Sequence, residues 1–254
     1  MSGEETGGGV KVGEITRLAA GLRRLTQDNP GPFTGPGTNT FLVGSEALWI
    51  LDPGPEDEEH FQALIDAVGD ARVLGVLVSH AHPDHWPLAP RLATRFGVDT
   101  YGFAPRDGFE PDRTLADGES LEGADVHLEV IHTPGHASDH LCFFERRGGA
   151  LFVGDHVMGW STTIIAPPDG DLRHYLASLE RLIELEPTVL HSAHGPAIER
   201  PLERMQEILG HRRKRSRQVL EALARAGGAH SILEMASEIY AGLDPALLPA
   251  ARMS

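Results

Sequence analysis

A chain of 254 residues, 41% hydrophobic and 23% charged, has the make-up of a globular protein with room for one large domain and an appendage, which excludes wholesale disorder. Its formal net charge of −15 repels phosphate backbones over most of the surface, and its one cysteine, Cys142, builds no internal disulfide framework. No uninterrupted apolar stretch reaches the roughly 18 residues of a membrane span, so a cytoplasmic, membrane-free protein is expected.

Residues 1–10, MSGEETGGGV, are acidic and glycine-rich, with no basic start and no apolar centre. They read as a disordered tail rather than a signal peptide. One large domain is expected over 11–198. Five short apolar runs mark buried strands within it: Leu48 to Leu51, Val73 to Val78, Val126 to Ile131, Leu151 to Val153, and Val189 to Leu190. TNTFLVGSEALWILD (38–52) and HLCFFERRGGALFVGD (140–155) read as hairpins, which makes the sheet mixed rather than purely parallel. Helical spacing recurs in DEEHFQALIDAVGD (57–70), through Phe61, Leu64, Ile65 and Val68. It recurs again in DLRHYLASLERLIEL (171–185), through Leu172, Leu176, Leu179 and Ile183 behind an Asp171 cap.

From about Glu199 the character changes. EILGHRRKRSRQVLEALARAG predicts a long helix that breaks at Gly227 and Gly228, SILEMASEIYAG restarts with Ser231 and Glu234 spaced as a capping box, and DPALLPAARMS opens a further short helix. A helical module is therefore expected over 199–254.

What lies just beyond each apolar run carries the chemistry. Asp52 follows the first run, SHAHPDHW (79–86) the second, His136 the third, Asp155 the fourth and His194 the fifth. An α/β scaffold builds a site in this way, by converging loops at one sheet edge. Imidazole with carboxylate is the ligand set of zinc and similar borderline cations. His80-x-His82 grips one ion from a single loop, while Asp84 and His85 point elsewhere and suit a second. Two cations that share a carboxylate also share a water and lower its pKa towards neutrality, which yields a nucleophile for a carbonyl or phosphoryl centre. Asp84 is placed to orient that nucleophile and accept its proton.

These motifs, HxHxDH at 80–85, TPGH at 133–136, GD at 154–155 and HG at 194–195, resemble those of the metallo-β-lactamase superfamily over about residues 39–196. The resemblance implies an α/β fold, a four-layer αββα sandwich, with two divalent cations, zinc foremost and manganese or iron(II) as alternatives. It implies that His80, His82 and His136 hold the first ion, that Asp84, His85 and His194 hold the second, and that Asp155 bridges them. The Asp52 carboxylate would orient the histidine loop by hydrogen bonding. True β-lactamases of the superfamily have a cysteine, or nothing, at the position of Asp155, so antibiotic hydrolysis is not expected.

Other residues receive lesser readings. His132 is read as a sheet-edge residue pointing inward, and His156 as a packing residue rather than a support for Asp155. Trp86 is either packed on the sheet at a helix start or a wall at the mouth of the site. Ser161, Thr162 and Thr163 either line the pocket with hydroxyls or form a plain polar loop. NPGPFTGPGTNTFLVG, GDHVMGWSTTIIAPPDGDLRHYLASLERL and the segment beginning HRRKRSRQ are similar to the β-lactamase-like protein 2 branch, which includes a single-strand endoribonuclease and fungal carrier-protein thioesterases. That branch carries a winged-helix module. Its further helix and wing would fall after Ser254, so the module is expected to be incomplete here and to pack over the active-site rim rather than bind DNA.

Three activities follow. The first is hydrolysis of an ester, thioester or lactone of a small acyl substrate by a metal-bridging hydroxide. The second is single-strand RNA cleavage, with Arg213 and Arg217 as contacts in the basic run Arg212, Arg213, Lys214, Arg215, Arg217. That run also reads as a solvated helix face. The third is a persulfide dioxygenase with a single iron. A small-molecule substrate is the expected partner.

Overall fold

The computed structural model describes residues 9–123 and 125–226. Residues 1–8 of the expected tail, and the two helices read within 231–254, lie outside the described residues.

Two mixed sheets face each other. The first has seven strands in the order β1-β2-β3-β4-β5-β6-β7: β1 (Ile15–Ala19), β2 (Leu22–Thr26), β3 (Asn39–Val43), β4 (Ala47–Leu51), β5 (Arg72–Leu77), β6 (Thr100–Gly102) and β7 (Arg113–Thr114). The second has five, in the order β12-β11-β10-β9-β8: β8 (Ser120–Glu122), β9 (His127–His132), β10 (Leu141–Glu145), β11 (Ala150–Gly154) and β12 (Val189–Ser192). Both expected hairpins form, as the antiparallel pairs β3/β4 and β10/β11. β4/β5 and β11/β12 pair in parallel, so both sheets are mixed.

β3, β4, β10 and β11 lack polar alternation because both of their faces are covered, whereas the segment around β9 alternates. Phe41, Val43, Trp49, Leu51 and Leu77 point between the sheets and meet Leu128, Val130, Leu141, Phe143 and Phe152. Their neighbours Leu42, Leu48, Ile50, Val73 and Val76 point outward, under α1 (Glu58–Val68) and α2 (Ala89–Phe96). On the second sheet Ile131, Cys142, Phe144, Leu151 and Val153 point outward, under α3 (Leu172–Glu184) and α4 (Pro201–Ala226). The result is four layers, αββα. Truncating a fully buried leucine such as Leu77 to alanine costs about 2–5 kcal/mol at sites of this kind.

Asp57 caps α1 by accepting the His60 N–H at 2.7 Å, and Asp171 caps α3, as expected, by accepting the His174 N–H at 2.9 Å. The sequence reads only a helix start near Trp86 for α2, whose entry, WPLAP, carries two prolines, one of them in its first turn. α4 runs 26 residues to Ala226, the last described residue, so the break expected at Gly227 and Gly228 lies outside the described residues; its Met205 and Ile208 are buried in the third cluster. No helix among the described residues is long and apolar enough to cross a membrane.

Candidate metal centre

Five strand ends converge at one end of the sandwich. β4 leads into Asp52, β5 into Ser79 to His85, β9 into the TPGH turn, β11 into Asp155 and β12 into His194. The TPGH turn can lie close against α3 because Gly135 has no side chain: a Cβ there would stand 2.3 Å from the Tyr175 Cα, and its φ is +146°.

The convergent side chains form two groups. His80, His82, His136 and Asp155 make one and Asp84, His85 and His194 the other, with the donor atoms of each group within 4.8 Å of one another. In the first group His82 Nδ1 lies 2.9 Å from His80 Nε2 and 3.0 Å from His136 Nε2, and His136 Nε2 lies 3.6 Å from Asp155 Oδ2. In the second, His194 Nε2 lies 3.3 Å from Asp84 Oδ2, and His85 Nε2 lies 3.6 Å from Asp84 Oδ1. Asp155 also reaches this group, with Oδ1 at 3.3 Å from His194 Nε2 and Oδ2 at 3.7 Å from His85 Nε2. Its carboxylate therefore stands between the two groups.

This donor set fits a pair of cations. Ligand atoms about 2.0–2.1 Å from a tetrahedral zinc stand about 3.3–3.4 Å apart, close to the spacings seen. His85 Nε2, His194 Nε2 and Asp155 Oδ1 are buried and make no hydrogen bond. Buried polar atoms left in this way are costly unless something else satisfies them.

The opposite edge of each ring is held by the protein. His85 Nδ1 faces Asp52 Oδ2 at 3.3 Å, His136 Nδ1 faces Ile164 O at 2.6 Å, His194 Nδ1 faces Gly37 O at 3.2 Å and His80 Nδ1 faces Ser79 Oγ at 3.0 Å. These four rings turn Nε2 inward, whereas His82 turns Nδ1 inward. Such partners fix the tautomer and the aim of a ligating imidazole.

The electrostatics of the two groups differ. Burial, reinforced by the surrounding imidazoles, holds His80 well below the usual histidine range and lowers His82 as well, so these two rings present neutral lone pairs. In the second group burial is outweighed. Asp84 and Asp155 raise His85 well above its usual value and Asp155 raises His194, while the imidazoles hold Asp155 well below the carboxylate range and Asp84 at about 2. A divalent cation bound there would take over the role of those protons and release them.

A cavity of about 700 Å³ opens on this cluster, with His82, Asp84, His136 and Asp155 in its floor. Trp86 is not among its lining residues. Its Nε1 donates to Ala81 O at 3.0 Å and its ring packs on Phe109, with centroids 5.4 Å apart. Trp160, Phe33 and Met158 line the wall instead, and the sequence reading did not single them out. Ser161, Thr162 and Thr163 do line the cavity, but the Thr163 hydroxyl is spent on the Asp155 carbonyl at 2.7 Å. Arg213 and Arg217 lie on α4 outside the lining, and Arg213 is ion-paired with Glu180. Arg212, from the same basic run, is buried.

Three residues to which the sequence reading gave no role also support the site. His140 Nε2 accepts the Asp155 N–H at 3.1 Å, Asp139 accepts the Ala81 N–H at 2.9 Å, and Thr133 Oγ1 meets His140 Nδ1 at 2.8 Å. His156 packs its ring against Tyr175, and His132 stacks on Phe103.

Five histidines gathered around a shared carboxylate at the end of an αββα sandwich define a metal-dependent hydrolase. The chain belongs to the metallo-β-lactamase superfamily, whose family profile matches residues 33–194. It is 30% identical over 240 residues to the beta-lactamase-like protein 2 homolog of Caenorhabditis elegans, covering 91% of this chain and 80% of that one. It is 33% identical over 218 residues to the atrochrysone carboxyl ACP thioesterase of Aspergillus fumigatus, covering 83% and 67%. A beta-lactamase domain protein from Burkholderia ambifaria shares the fold with a TM-score of 0.77 at 21% identity, covering 95% of this chain and 85% of that one.

Proposed function

We propose that this protein holds two divalent cations, zinc foremost, and hydrolyses an ester, thioester or lactone of a small acyl substrate. The observation that carries this reading is the wall of the cavity. Above the polar floor stand Pro32, Phe33, Met158, Trp160 and Ile164, and no lysine or arginine lines it among the described residues. An apolar wall beside a polar floor suits an acyl chain with a reacting carbonyl and offers nothing to a phosphate backbone. Two donor groups rather than one support two ions over the single iron of a dioxygenase. The thioesterase name of the A. fumigatus relative supports acyl chemistry. Cys142 is buried, and its thiol is pushed up to about 12 by burial, which supports an acid-bridged centre over a thiolate-ligated one. A lone buried cysteine also suits the cytoplasm, where we place the protein.

Bound cations would supply a water acidic near neutral pH and polarise the carbonyl. The chain's own residues do the rest. Asp84, a quarter exposed in the floor, is kept ionised and stands ready to accept a proton at its carboxylate. Asp155 keeps the two donor groups in register, and the apolar wall excludes bulk water from one side of the acyl group.

One metal-replete preparation assayed against p-nitrophenyl esters, acyl thioesters, bis-p-nitrophenyl phosphate and single-stranded RNA tests the reading. Ester or thioester turnover that disappears in His82→Ala and Asp84→Ala is expected. RNA cleavage with inert acyl substrates would replace it with the endoribonuclease reading, and one tightly bound iron per chain with the dioxygenase reading.

A further inference from the structure

Helix α4 packs Met205 and Ile208 into the core, but its arginines reach the site. Arg204 donates from Nε to Met158 O at 2.9 Å and from Nη2 to Ser161 O at 2.7 Å. Two turns on, the buried Arg212 donates from Nη2 to Thr163 O. Three carbonyls of one short segment, 158–163, thus take guanidinium N–H groups from one helix. Such charge-assisted bonds are about twice as strong as neutral ones.

The segment is tied to the metal centre at both ends. Thr163 Oγ1 donates to the carbonyls of Asp155 and His156, the Tyr175 hydroxyl donates to His156 O at 2.9 Å, and His136 Nδ1 meets Ile164 O. Its middle carries Trp160. The indole rests against two glycines: a Cβ would stand 3.2 Å from it at Gly35 and 2.9 Å from it at Gly195, the residue after His194. Trp160 is nevertheless 45% exposed, and it lines the cavity.

We propose that Arg204 and Arg212 are positioning residues that shape the acyl-binding wall from outside, holding segment 158–163 so that Met158 and Trp160 stand over the cavity floor. Selectivity for the acyl chain then depends on α4, a helix that contributes no residue to the cavity lining. The substrate named in this inference rests on the acyl-hydrolase reading; the clasp itself rests on the hydrogen bonds alone.

Arg204→Met, Arg204→Lys and Arg212→Met test it in the full chain. For Arg204→Met, KM for an octanoyl ester is expected to rise about tenfold while kcat and KM for an acetyl ester stay within about twofold. Bound metal should match the wild type. Arg204→Lys keeps a donor for one carbonyl and should recover part of the octanoyl preference.

A second measurement needs no turnover. The emission of Trp160 alone, obtained by subtracting the spectrum of a Trp160→Phe partner from each parent, should shift to longer wavelength in Arg204→Met. Equal loss on acetyl and octanoyl esters, or a folded Arg204→Met with wild-type chain-length profile and unshifted Trp160 emission, overturns the proposal. Should Arg212→Met fail to fold, the Arg204 variants decide alone. If no acyl substrate is turned over by the wild type, the hydrolase reading fails, and the emission shift still upholds or overturns the clasp.

Discussion

His85 and Asp52 are joined through the ring nitrogen that faces away from the cluster: Nδ1 stands 3.3 Å from Oδ2, while Oδ1 of the same carboxylate accepts the Ser79 N–H at 2.7 Å. One side chain therefore fixes both the ring and the strand end that carries it. Asp52 does this from a left-handed backbone position, φ +50°, a conformation that costs a non-glycine residue about 1–3 kcal/mol and persists where the surroundings impose it.

Asp52→Asn tests that link. An amide can still accept the Ser79 N–H, but its NH2 would then face His85 Nδ1 and drive the ring proton onto Nε2, the atom that faces Asp84 and Asp155. The expected outcome is a second cation bound about 10–100-fold more weakly, with the first unchanged. Calorimetric titration of the chelated protein resolves the two events. Two unaltered binding steps would remove Asp52 from the metal site.

Asp84→Ala tests a residue that serves both proton handling and capture of the second ion. The group of His80, His82, His136 and Asp155 is complete without Asp84, so one ion per chain should remain. Loss of the positioned proton acceptor, together with that of the second ion, should lower kcat by at least about 10²–10⁴-fold. Elemental analysis alongside kcat reads both. A variant that retains its metal and wild-type kcat would place the proton acceptor elsewhere.

The convergence at the candidate metal centre was legible in the sequence because its residues sit at strand ends, where a few residues in a row fix the geometry. His80 to His85 need only one tight loop. The wall was less legible. Trp86 and Trp160 both lie within a few residues of a ligand, and sequence distance does not say which faces the cavity. That is decided by Gly35 and Gly195, which leave room for the Trp160 indole, and by Phe109, which takes up the Trp86 ring. The basic run misleads in a similar way, since Arg212 follows Met205 and Ile208 at i+7 and i+4 and so turns inward with them, while Arg213 turns out to Glu180. That spacing was available in the sequence. The Thr163 carbonyl that accepts from Arg212, 49 residues earlier in the chain, was not.

Gly195→Ala probes the wall through its backing. The added methyl would stand 2.9 Å from the Trp160 ring at a position with φ +87°, so the indole must move. KM for a long-chain acyl ester should rise more than KM for an acetyl ester. Trp160→Ala, which removes the ring face outright, should cost the long-chain substrate about 1.5–3 kcal/mol of binding, or roughly 10–100-fold. Steady-state kinetics over an acyl series from two to ten carbons provides the measurement. A chain-length profile unchanged in both variants would show that the acyl group lies elsewhere.

Acid should destabilise the fold through two buried histidines that are not among the candidate ligands. Burial pulls His60 down to about 4 against partial opposition from Asp57, and burial with nearby Arg24 pulls His191 to about 4. Both are then neutral in the folded chain across the interval from about pH 4 to 6.5, where the unfolded chain takes up protons. More protons on the unfolded state means that stability rises with pH across this window, is complete above about pH 6.5, and falls as pH drops towards 4. Each group contributes up to about 3 kcal/mol to that slope. His191 lies between Phe41 and Phe152, with ring centroids 5.5 and 5.3 Å away, so His191→Phe keeps an aromatic ring there and removes the proton. His60→Gln keeps a polar partner for the Thr40 hydroxyl, which lies 3.0 Å from the imidazole. Urea midpoints at pH 4.5 and 7.5, measured on the same metal-replete protein, should lie closer together in the double variant than in the wild type. The metal ligands are common to both proteins and cancel in the difference, so equal pH slopes would mean that these two imidazoles already carry their protons in the folded state.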